Sequence, residues 1–242
     1  MRRQFVQKMP MVRQRVGVAA FSPKDISHNG LVLWLAANNI TGLADNDSVA
    51  QWDDFSGENN HATQATGGSQ PTYKTGILNG QPSVRFDGSS DFLNVVMAQS
   101  PPYTVITVCR TPANDGSVRP WIGQPPLLAK WSQASRWIKG YTPSGGHFIE
   151  YTDAAYIDSN VITSLLLNPS GTSSQLYFNG GYKAGASITH SSISNFDIGR
   201  SPHGYYSGDI HEIIIYDHIL SAINRGAVEK YLSDKYGIAL TT

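Results

Sequence analysis

The chain carries one cysteine in 242 residues, so no internal disulfide can form and cysteine usage marks neither an oxidising nor a reducing compartment. Cys109 closes the apolar run that begins at Tyr103, where a buried thiol behaves as a small hydrophobe. Long hydrophobic runs are also missing. The longest, such as Leu31 to Ala37, are strand-sized and far short of the roughly 20 residues that a membrane-spanning helix needs. Acidic residues are absent from the first 24 positions, although the whole chain balances 18 Lys and Arg against 18 Asp and Glu. Arg2, Arg3, Lys8, Arg13, Arg15 and Lys24 all precede Asp25, leaving 12 basic against 18 acidic residues in the remainder. A net acidic body argues against nucleic-acid binding. The basic start runs on into Pro10, Arg13 and Arg15 rather than into an apolar stretch, so it does not read as a secretory leader.

Several catalytic patterns are lacking. There is no Gly-x-Ser-x-Gly elbow and no phosphate-binding glycine loop, and no two of the seven histidines are three or four residues apart. Serine-hydrolase and zinc chemistry therefore have no support. Glycoside hydrolysis needs two carboxylates on one face, but Glu212 and Asp217 are an odd five apart, which puts them on opposite faces of a regular strand, and Glu150 with Asp153 has the same parity problem. Glu212 is read as a structural carboxylate satisfied by hydrogen bonds, and the chain is expected not to be an enzyme.

What is present builds a core: 40% of residues are hydrophobic, 15% are charged, and the aromatics comprise 12 Tyr, 8 Phe and 5 Trp. Residues 1–28 show no sustained period of 2 or 3.6 and are read as a basic arm, with one domain over 29–242. That domain alternates short β-type runs with turn clusters, the pattern of an all-β sandwich. Asp87-Gly88 between Pro82–Phe86 and Phe92–Met97 predicts a hairpin, and Asn179-Gly180 gives another turn signal. Residues 111–146 are the least regular part. The run Asp209–Asp217 is apolar on both parities, with Ile210, Ile214 and Tyr216 on one face and Ile213 and Ile215 on the other, so both faces should be covered. One convincing helix runs from Ser221 to about Tyr236, capped by Ser221 and ended by Gly237, with Ile223, Ala227, Val228, Tyr231 and Leu232 as its apolar stripe.

Three segments, Trp52–Ala62, Pro82–Leu93 and Leu176–Gly180, followed by Ile198–Arg200, Gly208–Asp217 and Leu220–Gly237, resemble laminin G-like domains of the concanavalin A type. The resemblance covers about residues 30–240. It implies a two-sheet antiparallel jelly roll with one C-terminal helix and an extended N-terminal arm. Domains of this kind occur in lectins, bacterial surface proteins and phage structural proteins. It leads to the expectation of a non-catalytic module of a larger assembly, such as a phage head decoration or fibre-associated protein. The arm residues Arg2, Arg3, Lys8, Arg13 and Arg15 would dock on a capsid or tail, as a single copy or a homo-oligomer, at the virion surface. The alternative is a carbohydrate-binding lectin-like module at a cell surface or outside the cell, and less so a glycoside hydrolase.

Glycan binding needs exposed aromatic faces beside polar groups, for which Trp131, Trp137, Tyr141 and His147 are the candidates, with Tyr205 and Tyr206 in reserve; Trp34 and Trp52 are read as core. No cofactor is expected. Calcium is the one metal with a case, because related domains carry it at the sandwich rim; the candidates are Asp45, Asp47 and Asp54, then Asp53, Asp87 and Asp91. Against calcium stands the ordinary use of Asp in turns, which is to cap backbone N–H groups.

Overall fold

Among the described residues eighteen strands and one α-helix succeed one another: β1 (Leu31–Ala36), β2 (Gln51–Trp52), β3 (Ala62–Thr63), β4 (Thr72–Leu78), β5 (Gln81–Asp87), β6 (Leu93–Gln99), β7 (Tyr103–Arg110), β8 (Arg119–Gly123), β9 (Leu127–Gln133), β10 (Ser135–Tyr141), β11 (Phe148–Thr152), β12 (Asn160–Leu167), β13 (Ser173–Phe178), β14 (Gly181–Ser187), β15 (Ile193–Ile198), β16 (Arg200–Ser201), β17 (Gly204–Tyr205), β18 (Ser207–Tyr216) and α1 (Ala222–Tyr236). This computed structural model describes residues 21–26, 30–110, 119–123, 127–133, 135–141, 148–152, 158–168, 173–187 and 192–241. The described strands form two eight-stranded antiparallel sheets and a two-stranded ribbon of β16 and β17. The first runs β14-β13-β12-β7-β18-β5-β4 with β1 also on β18, and the second runs β11-β10-β9-β8-β15-β6-β3-β2.

Period-2 alternation places the core. On β6, Leu93, Val95 and Met97 are buried while Asn94, Val96 and Ala98 point away from them. The inner faces of both sheets meet in one cluster that includes Leu33, Trp52, Phe86, Val95, Trp121, Leu165, Phe178, Phe196 and Ile213. Cys109 lies in it, and burial pushes its thiol up to about 12, as an inert apolar filler requires. Trp52 belongs to this core, whereas Trp34 is only partly buried and packs in a second cluster on the far side of the first sheet.

That second cluster explains why β18 is apolar on both faces. Ile214 and Tyr216 turn outward to meet Val228, Leu232 and Tyr236 of α1, while Ile213 and Ile215 face the inter-sheet core. Ile210 departs from the expected face. A β-bulge between Ile210 and Glu212 reverses the parity, and Ile210 joins the inter-sheet core with Ile213. No described helix covers the outer face of the second sheet.

The helix begins and ends where its caps predict: Ser221 Oγ accepts from Asn224 N at 3.2 Å, and Gly237 takes the left-handed C-cap at φ 67°. Its buried side differs from the apolar stripe. Ile223 is 83% exposed, while Arg225 and Glu229 are buried. They can be buried because they are paired: Arg225 Nη1 donates to Glu229 Oε1 at 2.7 Å and Oε2 at 2.9 Å, Ser164 Oγ donates to Glu229 at 2.7 Å, and the Arg225 guanidinium lies 3.6 Å over the Tyr177 ring.

Two further expectations change. The segments around Asp87-Gly88 are not a hairpin, because β5 pairs with β4 and β18 in the first sheet while β6 pairs with β3 and β15 in the second. Asp87 instead shapes a corner, accepting the N–H groups of Ser89, Ser90 and Asp91 at 2.8, 2.9 and 3.0 Å, and the chain crosses between sheets there. Burial, followed by the charge of Asp87, raises the Asp91 carboxyl to about 6. The second change is at the start of the domain: Pro23–Asp25 forms a 3-10 turn, Ile26 is buried against α1, and Tyr216 Oη donates to Pro23 O at 2.9 Å. Residues 21–26, placed in the arm by their composition, thus pack on the sandwich, while Arg2, Arg3, Lys8, Arg13 and Arg15 lie outside the described residues.

His211 makes stability depend on pH. It is fully buried with Nδ1 2.9 Å from Pro82 O, which fixes Nδ1–H as donor, and Nε2 has no partner among the described residues. Burial lowers its pKa below the ordinary 6.5. The unfolded chain therefore takes up a proton at pH values where the folded chain does not, and the stability that the neutral ring contributes above 6.5 is lost as pH falls through the folded value. Urea titrations of wild type and His211→Gln across pH 7.5 to about 5 should show the wild type losing stability relative to the variant. Parallel curves would contradict this assignment.

Candidate functional site

The turn carboxylates proposed for calcium are committed to the protein's own donors. Asp54 accepts from Trp34 N, Ser56 N, Ser56 Oγ and Asn60 N at 2.7–2.9 Å, tying the Asp53–His61 turn to β1. Asp47 accepts from Ala44 N at 2.7 Å. Asp45 accepts from Thr75 N at 2.9 Å and from Lys74 Nζ at 3.2 Å, and these bonds, the backbone one first, lower its pKa. Asp53 accepts from Gln51 Nε2 at 2.6 Å. Among the described residues no three His, Cys, Asp or Glu side chains gather closely enough to hold a metal ion.

The aromatic candidates lie on the second sheet. Trp131 is on β9 and Trp137 on β10, directly opposite each other in the ladder, and Tyr141 pairs with Leu127 and Phe148 at the strand end. The stretch expected to be least regular therefore carries β8, β9 and β10. The side chains of Trp131, Trp137 and Tyr141, and the whole of His147, lie outside what the structure describes. Tyr206, held in reserve for sugar stacking, is fully buried: its hydroxyl donates to Arg110 O and to Asp209 O, so its ring is a core wedge against Phe86 and Trp121.

A polar cleft of about 310 Å³ opens on the outer face of the same sheet, lined by Asn94, Ser194, Asn195, Phe196, Asp197 and Arg200. Asn94 on β6 and Asp197 on β15 are direct ladder partners, and both point outward because Val95, Phe196 and Ile198 beside them fill the core. Asp197 organises the cleft. Its Oδ1 accepts from Asn94 Nδ2 at 3.0 Å, and its Oδ2 accepts Arg200 Nε at 2.9 Å and faces Arg200 Nη2 at 2.8 Å. One face of the Arg200 guanidinium rests on the Phe92 ring at 3.4 Å, leaving the side chain about a third exposed. Arg200 Nη1 and Asn94 Oδ1 have no partner among the described residues. A second hollow of about 260 Å³, shared by Asp197 and Arg200, continues to Ser201 and Pro202.

Gly123 sets the depth of this surface. On β8 it is the ladder partner of Asp197, and a Cβ there would lie 1.6 Å from Arg200 O, so the start of β16, which carries Arg200, folds down onto bare backbone. Sequence reasoning missed Asn94, Asp197 and Arg200. Their outward phase is visible in Leu93-Asn-Val and Phe196-Asp-Ile, but the pairing of β6 with β15, about a hundred residues apart, is not.

The geometry offers donors and acceptors alternating over a shallow, open face, a surface suited to vicinal hydroxyls rather than to an enclosed apolar ligand. No family model and no curated protein sequence matches the chain. Solved structures do. The botulinum neurotoxin serotype D ligand binding domain, in complex with N-acetylneuraminic acid, is similar at a TM-score of 0.60 and 12% identity, covering 84% of this chain and 51% of that one. Trypanosoma rangeli sialidase in complex with sialic acid is similar at 0.56 and 14% identity, over 85% of this chain and 33% of that one. Domain 4 of AbnA, a GH43 extracellular arabinanase from Geobacillus stearothermophilus, in complex with arabinotriose, is similar at 0.54 and 13% identity, over 83% of this chain and 97% of that domain. The fold is a β-sandwich. At this identity the likeness concerns the fold alone, and the chain spans about half the length of the neurotoxin domain and a third of the sialidase.

Proposed function

We propose that the protein is a non-catalytic glycan-binding module whose contact surface is the outer face of the second sheet around Asn94, Asp197 and Arg200. The observation that carries this is the Asp197 carboxylate holding an amide and a guanidinium in fixed positions at the mouth of an open cleft. Preorganised polar groups lose little entropy on binding, and each charge-assisted bond to a hydroxyl is worth about 1.5–3 kcal/mol. Similar folds solved with N-acetylneuraminic acid and arabinotriose support this ligand class. Absence of catalysis is supported by Glu212, whose carboxylate is sealed beneath α1 rather than paired with a second acid at a surface.

The laminin G-like motif segments belong with the same proposal as its finer family assignment. Placement on a virion, anchored by the basic arm, draws no support from the three similar folds named above, which favour the glycan-binding alternative and a location outside the cell or at its surface. No described helix is long and apolar enough to cross a membrane.

The test is binding to an immobilised oligosaccharide panel that includes sialylated and arabinan chains, with wild type, Arg200→Ala and Asn94→Ala compared. Wild type should bind a subset saturably, and Arg200→Ala should weaken that binding by about 10-fold to 100-fold. No binding across the panel, or equal binding by all three proteins, would contradict the proposal.

A further inference from the structure

We infer a second glycan contact, a stacking platform for a pyranose ring formed by Tyr182 and Tyr177 on the β13–β14 edge hairpin. The ligand class rests on the glycan-binding proposal; the position is independent of it, since this hairpin belongs to the first sheet and the cleft to the second.

The platform follows from an irregularity in the hairpin. Asn179 and Gly180 turn the chain at φ 46° and 82°, and the register then shifts between Leu176 and Tyr177, so that Tyr177 opposes Tyr182 while Leu176 opposes Ala184. Lys183 is the extra residue of this bulge. Without it, Tyr182 and Gly185 would alternate to opposite faces. With it, Tyr182 and Gly185 on β14 share the outer face with Tyr177 and Gln175 on β13.

Gly185 then lets the ring lie flat. A Cβ at Gly185 would meet Tyr182 Oη at 2.7 Å, so the Tyr182 side chain runs along the strand over bare backbone and remains 57% exposed. Tyr177 stands against it edge-on, with centroids 5.5 Å apart at 73°. Tyr177 is itself fixed, by Arg225 stacked 3.6 Å over its ring and by donation from its hydroxyl to Gln175 Oε1 at 2.8 Å. Tyr182 Oη and Gln175 Nε2 have no partner among the described residues. A flat exposed ring, a rigid edge-on neighbour and two free polar groups at the rim are what a pyranose with equatorial hydroxyls requires: its C–H face stacks and its hydroxyls bond at the edge.

The experiment is an amide ¹H–¹⁵N titration of the full chain with cellotriose, whose β-linked pyranoses present such faces, on wild type, Tyr182→Ala, Tyr182→Phe and Arg200→Ala. Signals of Gln175, Tyr177, Tyr182 and Gly185 should shift saturably in wild type. Tyr182→Ala should weaken that response at least about tenfold, Tyr182→Phe should retain most of it, and Arg200→Ala should leave it unchanged. The Tyr182 side chain makes no hydrogen bond to the described residues, so unchanged signals elsewhere confirm that its variants fold. No shift at the hairpin, or the same shift in Tyr182→Ala, overturns the platform. Shifts confined to Asn94, Asp197 and Arg200 overturn it while leaving the cleft proposal standing, and shifts confined to the hairpin establish the platform and leave the cleft to the panel test.

Discussion

Replacing Glu212 with alanine is expected to cost about 3–5 kcal/mol of stability, the range for removing one partner of a buried charge pair. For a domain of this size that lowers Tm by about 6–20 °C. Glu212 is fully buried on β18, and its carboxylate accepts from Trp34 Nε1 at 2.7 Å, Tyr231 Oη at 3.1 Å, Tyr236 Oη at 2.8 Å and Lys235 Nζ at 2.6 Å. Those donors come from β1 and α1, so one side chain bolts the helix to the first sheet. Removing it takes the shared carboxylate from an ammonium and three polar hydrogens under the helix, leaving Lys235 only Tyr231 Oη at 3.0 Å and Tyr236 only His211 O at 3.4 Å. The nearby negative charge, after burial itself, is also what raises Tyr231 and Tyr236, so their hydroxyls stay protonated as donors. Glu212→Gln keeps the shape and one acceptor oxygen and should fall between the two. A Glu212→Ala loss below about 1 kcal/mol by urea denaturation would show that the network is not a structural bolt.

The second large effect is at Gly123. Alanine there places a Cβ 1.6 Å from Arg200 O and 2.6 Å from its carbonyl carbon, and both are backbone atoms that cannot rotate away. The turn leading into β16 must therefore lift. We expect a stability loss at or above the roughly 1–3 kcal/mol typical of overpacking, and with it the displacement of Arg200 from Asp197. Glycan binding should fall at least about tenfold, as in Arg200→Ala. The pair of readouts matters: a Gly123→Ala protein that melts lower but binds as wild type would place the binding surface elsewhere.

Local signals were legible where a single element decides the outcome. Ser221 and Gly237 bound α1 because a hydroxyl and a residue free to adopt positive φ are what its two ends need. The two-faced apolarity of β18 announced that both of its sides are covered. Features that depend on a partner strand were not legible. The bulges beside Glu212 and at Lys183 change which face a residue takes without changing composition. Asp87-Gly88 carries the letters of a hairpin turn, yet its carboxylate caps three N–H groups and sends the chain to the other sheet. Arg225 and Glu229 lie off the apolar stripe of α1, and their burial depends on Ser164 and Tyr177, from distant strands. The cleft was hidden for the same reason, being assembled from β6, β15 and the turn after it by long-range pairing.

The most direct test of the central claim is amide shift mapping of the full chain with the oligosaccharide bound most tightly from the panel. The account predicts saturable shifts at Asn94, Asn195, Asp197 and Arg200, spreading to the neighbouring strand β8 and lost in Arg200→Ala. Shifts that leave these residues untouched at saturation would contradict a glycan surface on the second sheet.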